Sequence, residues 1–380
     1  MRLFTCEFCG QTLFFENSVC GRCGHELGFS SDQMTLLTLE REGEVLRPLG
    51  GGTSYAYCQN AKHGVCNWLV PVPFESPEGL CAACRHNQTI PDLSIGENLK
   101  NWRSLEAAKH RLFYTLLRLN LPLRNVTEDP EQGLAFEFMA DSSEFGPRIL
   151  TGHDEGLITI NLAEANDAMR ERFRDEMAEP YRTLLGHFRH EIGHYYWNEL
   201  IRNGGRLEAC RAVFGDESRD YGAALKLHYE QGPPSGWEEY YISAYATMHP
   251  WEDFAESWAH YLHIVDTLET ASAFGLRIHP RRTDDGLLHS DINFDAYKAA
   301  GIGQLIDAWL PLTFAMNAIN RSMGHADMYP FVVSQPVVNK LGFIHDLVHG
   351  RVAAQAGAEH AAPTLQALRF RNASSRTWTR

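Results

Sequence analysis

No run of apolar residues approaches the ~18 that a membrane-spanning helix requires, and MRLFTCEFCG lacks the apolar core of a secretory leader. These absences predict a chain that does not cross a membrane and resides in the cytoplasm. Basic residues are also in deficit: 34 Lys and Arg face 48 Asp and Glu, for a formal charge of -14. An extended basic face for nucleic acid is therefore not expected. Internal repeats are lacking. Beyond residue 84 the only cysteine is Cys210, expected to fill a small apolar space.

What is present begins with core material: 44% of the 380 residues are apolar, enough for two or three domains. Eight of the nine cysteines fall within the first 84 residues, in close pairs. In a reducing compartment such pairs read as metal ligands rather than disulfides. Cys6-x2-Cys9 and Cys20-x2-Cys23 are separated by ten residues, and Gly10 and Gly24 follow the pairs. A two-residue gap lets both thiolates of a pair reach one ion, and the glycine permits a tight turn. Four thiolates suit tetrahedral zinc, with rubredoxin-like iron as the competitor, and closed coordination makes the ion structural. Cys58, Cys66, Cys81 and Cys84 are spaced less regularly and are expected to hold a second structural zinc, with His63 or His86 able to replace one thiolate.

The segment PFESPEGLCAACRHNQTIPDLS reads as a junction. After it, NLKNWRSLEAAKHRLFYTLLRLNL has helical periodicity, and LAFEFMA and GLITINL read as strands. The expected organisation is a zinc ribbon over 1–30, a second four-cysteine zinc-binding module and junction over 31–94, a catalytic domain over 95–350, and a tail over 351–380. The fold class is α+β, mostly helical with a small sheet. The tail carries five Arg and one Glu without a periodic face and is expected to be partly disordered.

RHEIGHYYW, residues 189–197, contains His-Glu-x-x-His. Pro180 and the pair Gly204–Gly205 suggest a helix of roughly 180–203, with Tyr181, Leu184, Leu185, Phe188, Ile192 and Tyr195 on its core side. Four residues apart, His190 and His194 lie about 40° apart around the axis and can share one ion. Glu191 sits one step round, where a carboxylate can face a metal-bound water. A catalytic zinc needs a third protein ligand. Leu200 occupies the place of the metzincin histidine, but YATMHPWEDFAESWAHYLHI lies downstream. Pro250 can open a helix there, with Trp251, Phe254, Ala255, Trp258, Leu262 and Val265 as its apolar face. Glu252 and Glu256 are one turn apart on another side, so one can ligate while the other braces a histidine.

HEIGH followed by Y-x6-E-x-F-A-E, Tyr245 to Glu256, resembles the gluzincin arrangement shared by the anthrax lethal factor catalytic domain and the MtfA-type bacterial peptidases. With the N-terminal cysteines included, most of the chain resembles bacterial zinc-binding metallopeptidases that carry a zinc-ribbon domain. The resemblance implies a zincin-like fold and His190, His194 and Glu252 as zinc ligands. It also implies Glu191 as general base and Tyr245 as transition-state donor.

Glu256 is the alternative ligand, and His260 or His263 would make an SprT-like site. His187, Tyr240 and Tyr241 are expected to support or pack. GLITINL is a candidate edge strand for an extended peptide, with an ordinary central strand as the plainer reading. QLIDAWLPLTFAMNAINRSM should be kinked at Pro311 and mainly fill core. Asp327 and Tyr329 are candidate cleft residues. The expected function is a zinc-dependent peptidase with one catalytic and two structural Zn2+. Its partners would be a peptide or protein substrate and a protein bound through the ribbon. The alternatives are a non-catalytic adaptor with a structural or degenerate site, or a deconjugating amidase.

Overall fold

The two N-terminal cysteine pairs sit on matching turns, in which Gly10 N–H donates to Cys6 O and Gly24 N–H to Cys20 O, each at 2.9 Å. β1 (Phe4–Thr5) and β2 (Thr12–Leu13) pair across the first turn. The computed structural model describes residues 1–74, 78–141, 149–166, 170, 183–281 and 286–354. Pro180, Tyr181, part of the junction segment and the tail from residue 355 lie outside them.

A five-stranded antiparallel sheet joins the two cysteine groups. It comprises β3 (Glu26–Ser30), β4 (Thr35–Glu42), β5 (Val45–Pro48), β6 (Tyr55–Tyr57) and β7 (Leu69–Pro71), in that order. Sequence analysis placed no strand here, and its division at residue 30 falls inside the β3–β4 hairpin, where Glu26 pairs with Leu39. Leu36 to Leu39 of β4 are buried consecutively, so the strand lacks the alternation that marks a half-exposed one.

α1 (Gly96–Arg118) follows and buries Trp102, Leu105, Leu112, Phe113 and Tyr114. Beside it lies a second sheet of β8 (Asn87–Thr89), β9 (Ala135–Met139), β10 (Gly152–Asp154) and β11 (Leu157–Asn161), in the order β10-β11-β9-β8. β11, the GLITINL strand, is central, parallel to β9 and antiparallel to β10. The edge expected of it belongs instead to β10, a three-residue strand without an apolar pattern to announce it.

α2 (Leu184–Tyr196) carries the HEIGH motif and ends in a π-helical turn over Trp197–Arg202. Thr183 caps it, its side chain accepting from Gly186 N–H at 2.9 Å. Then come α3 (Leu207–Phe214), α4 (Tyr221–Gln231) and the 24-residue α5 (Pro250–Ala273). Pro250 opens α5 as expected, and His249 accepts from Trp251 N–H at 3.1 Å. A hairpin of β12 (Arg277–Ile278) and β13 (Ser290–Asp291) precedes α6 (Ile302–Ser322), which runs through Pro311, and α7 (Gln335–Val348). α2, α6 and α7 pack on α5. One continuous apolar core runs from Phe4 in the ribbon to Leu347 in α7. No described helix is long and apolar enough to cross a membrane.

Candidate metal centre

α2 and α5 approach closely at Gly193, where an added Cβ would lie 3.0 Å from Ala255 Cα. That approach brings the two halves of the motif together: one donor atom each from His190, His194 and Glu252 lies within 4.8 Å of the others. Glu252 Oε2 is 2.9 Å from His190 Nε2 and 3.4 Å from His194 Nε2, yet it has no aligned hydrogen-bond partner. Glu252 is 2% exposed. A buried carboxylate oxygen between two imidazole nitrogens and without a hydrogen bond is costly unless a cation completes it. Burial raises the Glu252 carboxyl, but His194 and His190 outweigh it and hold the pKa well below the usual range. The two-nitrogen, one-oxygen donor set fits zinc.

The other polar atoms of His190 and Glu252 are braced, whereas His194 Nδ1 is buried without a hydrogen-bond partner. His190 Nδ1 donates to Glu256 Oε1 at 2.6 Å, and Ser243 Oγ donates to Glu256 Oε2 at 2.6 Å. Glu252 Oε1 accepts from the Tyr221 hydroxyl at 2.8 Å. The His194 ring lies against Trp251, with centroids 3.7 Å apart, and stacks on His153 of β10 at 6.1 Å. Glu191 is buried, and its Oε1 is 3.1 Å from His187 Nε2. His187 Nδ1 is 2.6 Å from Glu164 Oε2, whose other oxygen accepts from Thr151 Oγ1 at 2.6 Å. Burial pushes the Glu191 carboxyl up, but His187 and the two motif histidines bring it below its ordinary value, so it is ionised at neutral pH. Tyr245 flanks the centre with its ring 5.9 Å from that of His190.

The remaining sequence candidates lie elsewhere. His260 bonds the Tyr329 hydroxyl at 2.7 Å, and His263 Nδ1 is 2.5 Å from the Arg189 guanidinium. Neither belongs to the triad of donor atoms. Tyr329 is buried, and Asp327 pairs with Arg321 at 3.2 Å. Tyr240 is exposed, while Tyr241 packs under the Lys340 ammonium at 4.1 Å. Cys210 is buried, which pushes its thiol up to about 12.

Cys6, Cys9, Cys20 and Cys23 form one four-sulfur cluster, and Cys58, Cys66, Cys81 and Cys84 a second. A tetrahedron with metal–sulfur bonds of about 2.3 Å has edges of about 3.8 Å. The sulfur separations match: 3.6 Å for Cys6–Cys23 and Cys9–Cys20, and 3.8 Å for Cys66–Cys81. His63 instead lies tilted against Trp102, with ring centroids 5.9 Å apart, and His86 donates to Leu134 O at 2.8 Å. His110 of α1, which sequence analysis passed over, does reach the second cluster, with Nε2 3.3 Å from Cys66 Sγ and Nδ1 donating to Glu106 O at 2.7 Å. Beneath it Glu106 and Lys109 form a fully buried ion pair at 3.0 Å. Tyr221, Ser243, Glu164 and His153 were missed as well. They come from loops, a strand and a short helix, with no motif spacing to link them to HEIGH.

Residues 98–347 match the family described as "Putative zinc-binding metallo-peptidase", and residues 3–95 match a zinc-ribbon domain. Uncharacterized proteins of Mycobacterium tuberculosis and Mycobacterium bovis are 43% identical over 351 residues, covering 92% of this chain and 95% of theirs. No solved structure matches the chain.

Proposed function

The chain belongs to the Putative zinc-binding metallo-peptidase family, and from that premise we propose that it is a gluzincin-type zinc peptidase that cleaves peptide or protein substrates. The observation that carries the reading is the convergence of His190, His194 and Glu252 beside a buried, ionised Glu191. A zinc ion held by these three residues would supply a Lewis acid and lower the pKa of a bound water toward ~7. Glu191 takes the proton of the attacking water and passes it to the leaving amine. Its low pKa keeps it a carboxylate until that transfer, and His187 fixes its orientation. Tyr245 donates to the oxygen on which charge develops, an interaction worth a few kcal/mol when the donor is already placed. Glu256 and Ser243 hold His190 in the orientation that presents Nε2. β10 would align an extended substrate by strand addition next to His194. The two four-sulfur clusters would hold structural zinc. The ribbon would receive a protein partner, and the reducing cytoplasm that keeps its thiolates free is the matching compartment.

The test is cleavage of a broad peptide library by the purified chain. Glu191→Gln should reduce cleavage by about 10²–10⁴-fold while zinc content holds. Equal cleavage by the parent and this variant would sink the assignment of Glu191 and of the reaction.

A further inference from the structure

Among the described α-helices, α4 alone has no fully buried residue. Leu227 and Tyr229 stand about half exposed on it. It nevertheless lies directly over the metal centre. The Tyr221 hydroxyl at its first turn donates to Glu252 Oε1 at 2.8 Å. Farther along, His228 packs edge-on against the Tyr245 ring at 5.9 Å. The segment is bounded by Gly215 at φ 95°, ψ -175° and Gly232 at φ 70°, ψ -175°. Essentially only glycine adopts that backbone region, so both joints are built from the residue with the widest freedom to turn.

We propose that Tyr221 is a positioning residue of this site and that α4 is a hinged cover latched through it. In the latched state Tyr221 occupies one oxygen of Glu252 and turns the other toward the two imidazoles, which enforces one-oxygen ligation. His228 of the same helix packs against Tyr245. Swinging α4 away on its two glycines would release Tyr245 toward a substrate and let Glu252 turn. Because no α4 residue is fully buried, only half-buried contacts of Tyr221, Ala224, Leu225 and His228 resist that motion. The inference rests on the reading of Glu252 as third ligand.

Chelator competition on the full chain separates the two ideas. Glu252→Ala should lose the labile zinc altogether; retention would overturn the ligand reading, and the latch with it. If that zinc is lost, Tyr221→Phe decides the latch. It keeps the ring and should weaken labile zinc by about 10–100-fold, the usual effect of removing a hydrogen bond behind a ligand. Cobalt exchanged into the labile site should show an altered visible spectrum as Glu252 turns, a signature that loss of packing alone would not give. Gly232→Ala is the second variant: its Cβ would meet nothing within 4 Å, so it acts only by straining the closed backbone. It should raise amide exchange over 221–231 several-fold while α5 stays protected. Affinity within twofold of the parent for Tyr221→Phe, an unchanged cobalt spectrum, or unchanged exchange for Gly232→Ala would each overturn the proposal.

Discussion

At the scale of single residues, the candidate site is a set of side chains in which the second polar atoms of His190 and Glu252 are each held by a neighbour, Glu256 and Tyr221, whereas His194 is held by its ring contacts. Glu256 uses both oxygens to hold His190, one directly and one through Ser243. Glu256→Ala should therefore lower labile zinc affinity by about 10–100-fold and leave the eight-thiolate zinc untouched. Metal content after graded chelation reads this, and an unchanged labile fraction would remove Glu256 from the bracing role. His190, His194, Glu252 and Glu256 were legible in the sequence because each spacing is local to one helix, where four residues return a side chain to the same face. Which glutamate approaches the two histidines is not a local property. The helix places them one turn apart, and only the crossing of α5 over α2 puts Glu252 between the imidazoles. Tyr221 was illegible for a stronger reason: its approach depends on the path of the whole 207–250 connection.

At the scale of elements, helices with one apolar face were read correctly, as α1 and α5 illustrate, whereas β3 to β7 were not. β6 and β7 are three residues each, and β3 and β4 carry runs of four consecutive buried residues in place of alternation. The α2–α5 contact makes a sharper prediction. An alanine at position 193 puts its Cβ 3.0 Å from Ala255 Cα, and backbone cannot move aside as a flexible side chain can. Gly193→Ala should cost about 1–3 kcal/mol and also weaken labile zinc, because separating the helices separates Glu252 from the histidines. Urea unfolding and chelator competition should move together. α7 contributes a pH dependence. Burial, with His349 and Arg351 nearby, holds the pKa of His345 down to about 4, against an ordinary value of 6.5. The fold therefore prefers the neutral ring, and the unfolded chain takes up the proton first. Stability from this residue is constant above about pH 6.5 and falls as pH drops toward 4, by at most ~1.4 kcal/mol per pH unit. His345→Gln should flatten that part of the stability curve relative to the parent; parallel curves would rule the residue out.

At the scale of the whole molecule, the ribbon is not an appendage. Phe15, Phe29 and Trp68 from the ribbon region pack edge-on or tilted against one another, and Phe15 and Phe29 also meet Tyr114 of α1, with centroids between 4.8 and 6.1 Å. The Tyr114 hydroxyl reaches Glu269 of α5, and the Met1 ammonium bonds Asp266 of the same helix at 2.7 Å. Asp266 in turn holds Arg189, the residue before His190, at 2.6 Å. A path of buried and half-buried contacts thus joins the first cysteine knuckle to the helices that carry the candidate site, and His110 with the Glu106–Lys109 pair ties the second cluster to α1. If the four-sulfur clusters served only their own region, losing one would melt residues 1–95 and leave α2 and α5 folded. The continuous core predicts otherwise. Cys84→Ser opens the second cluster above the buried Glu106–Lys109 pair and should lower the melting temperature of the entire chain. Calorimetry should give a single transition in both parent and variant, and labile zinc should be released in that same transition. A variant that melts in two steps, with the labile zinc kept through the first, would show that the unit carrying the candidate site stands without its ribbon.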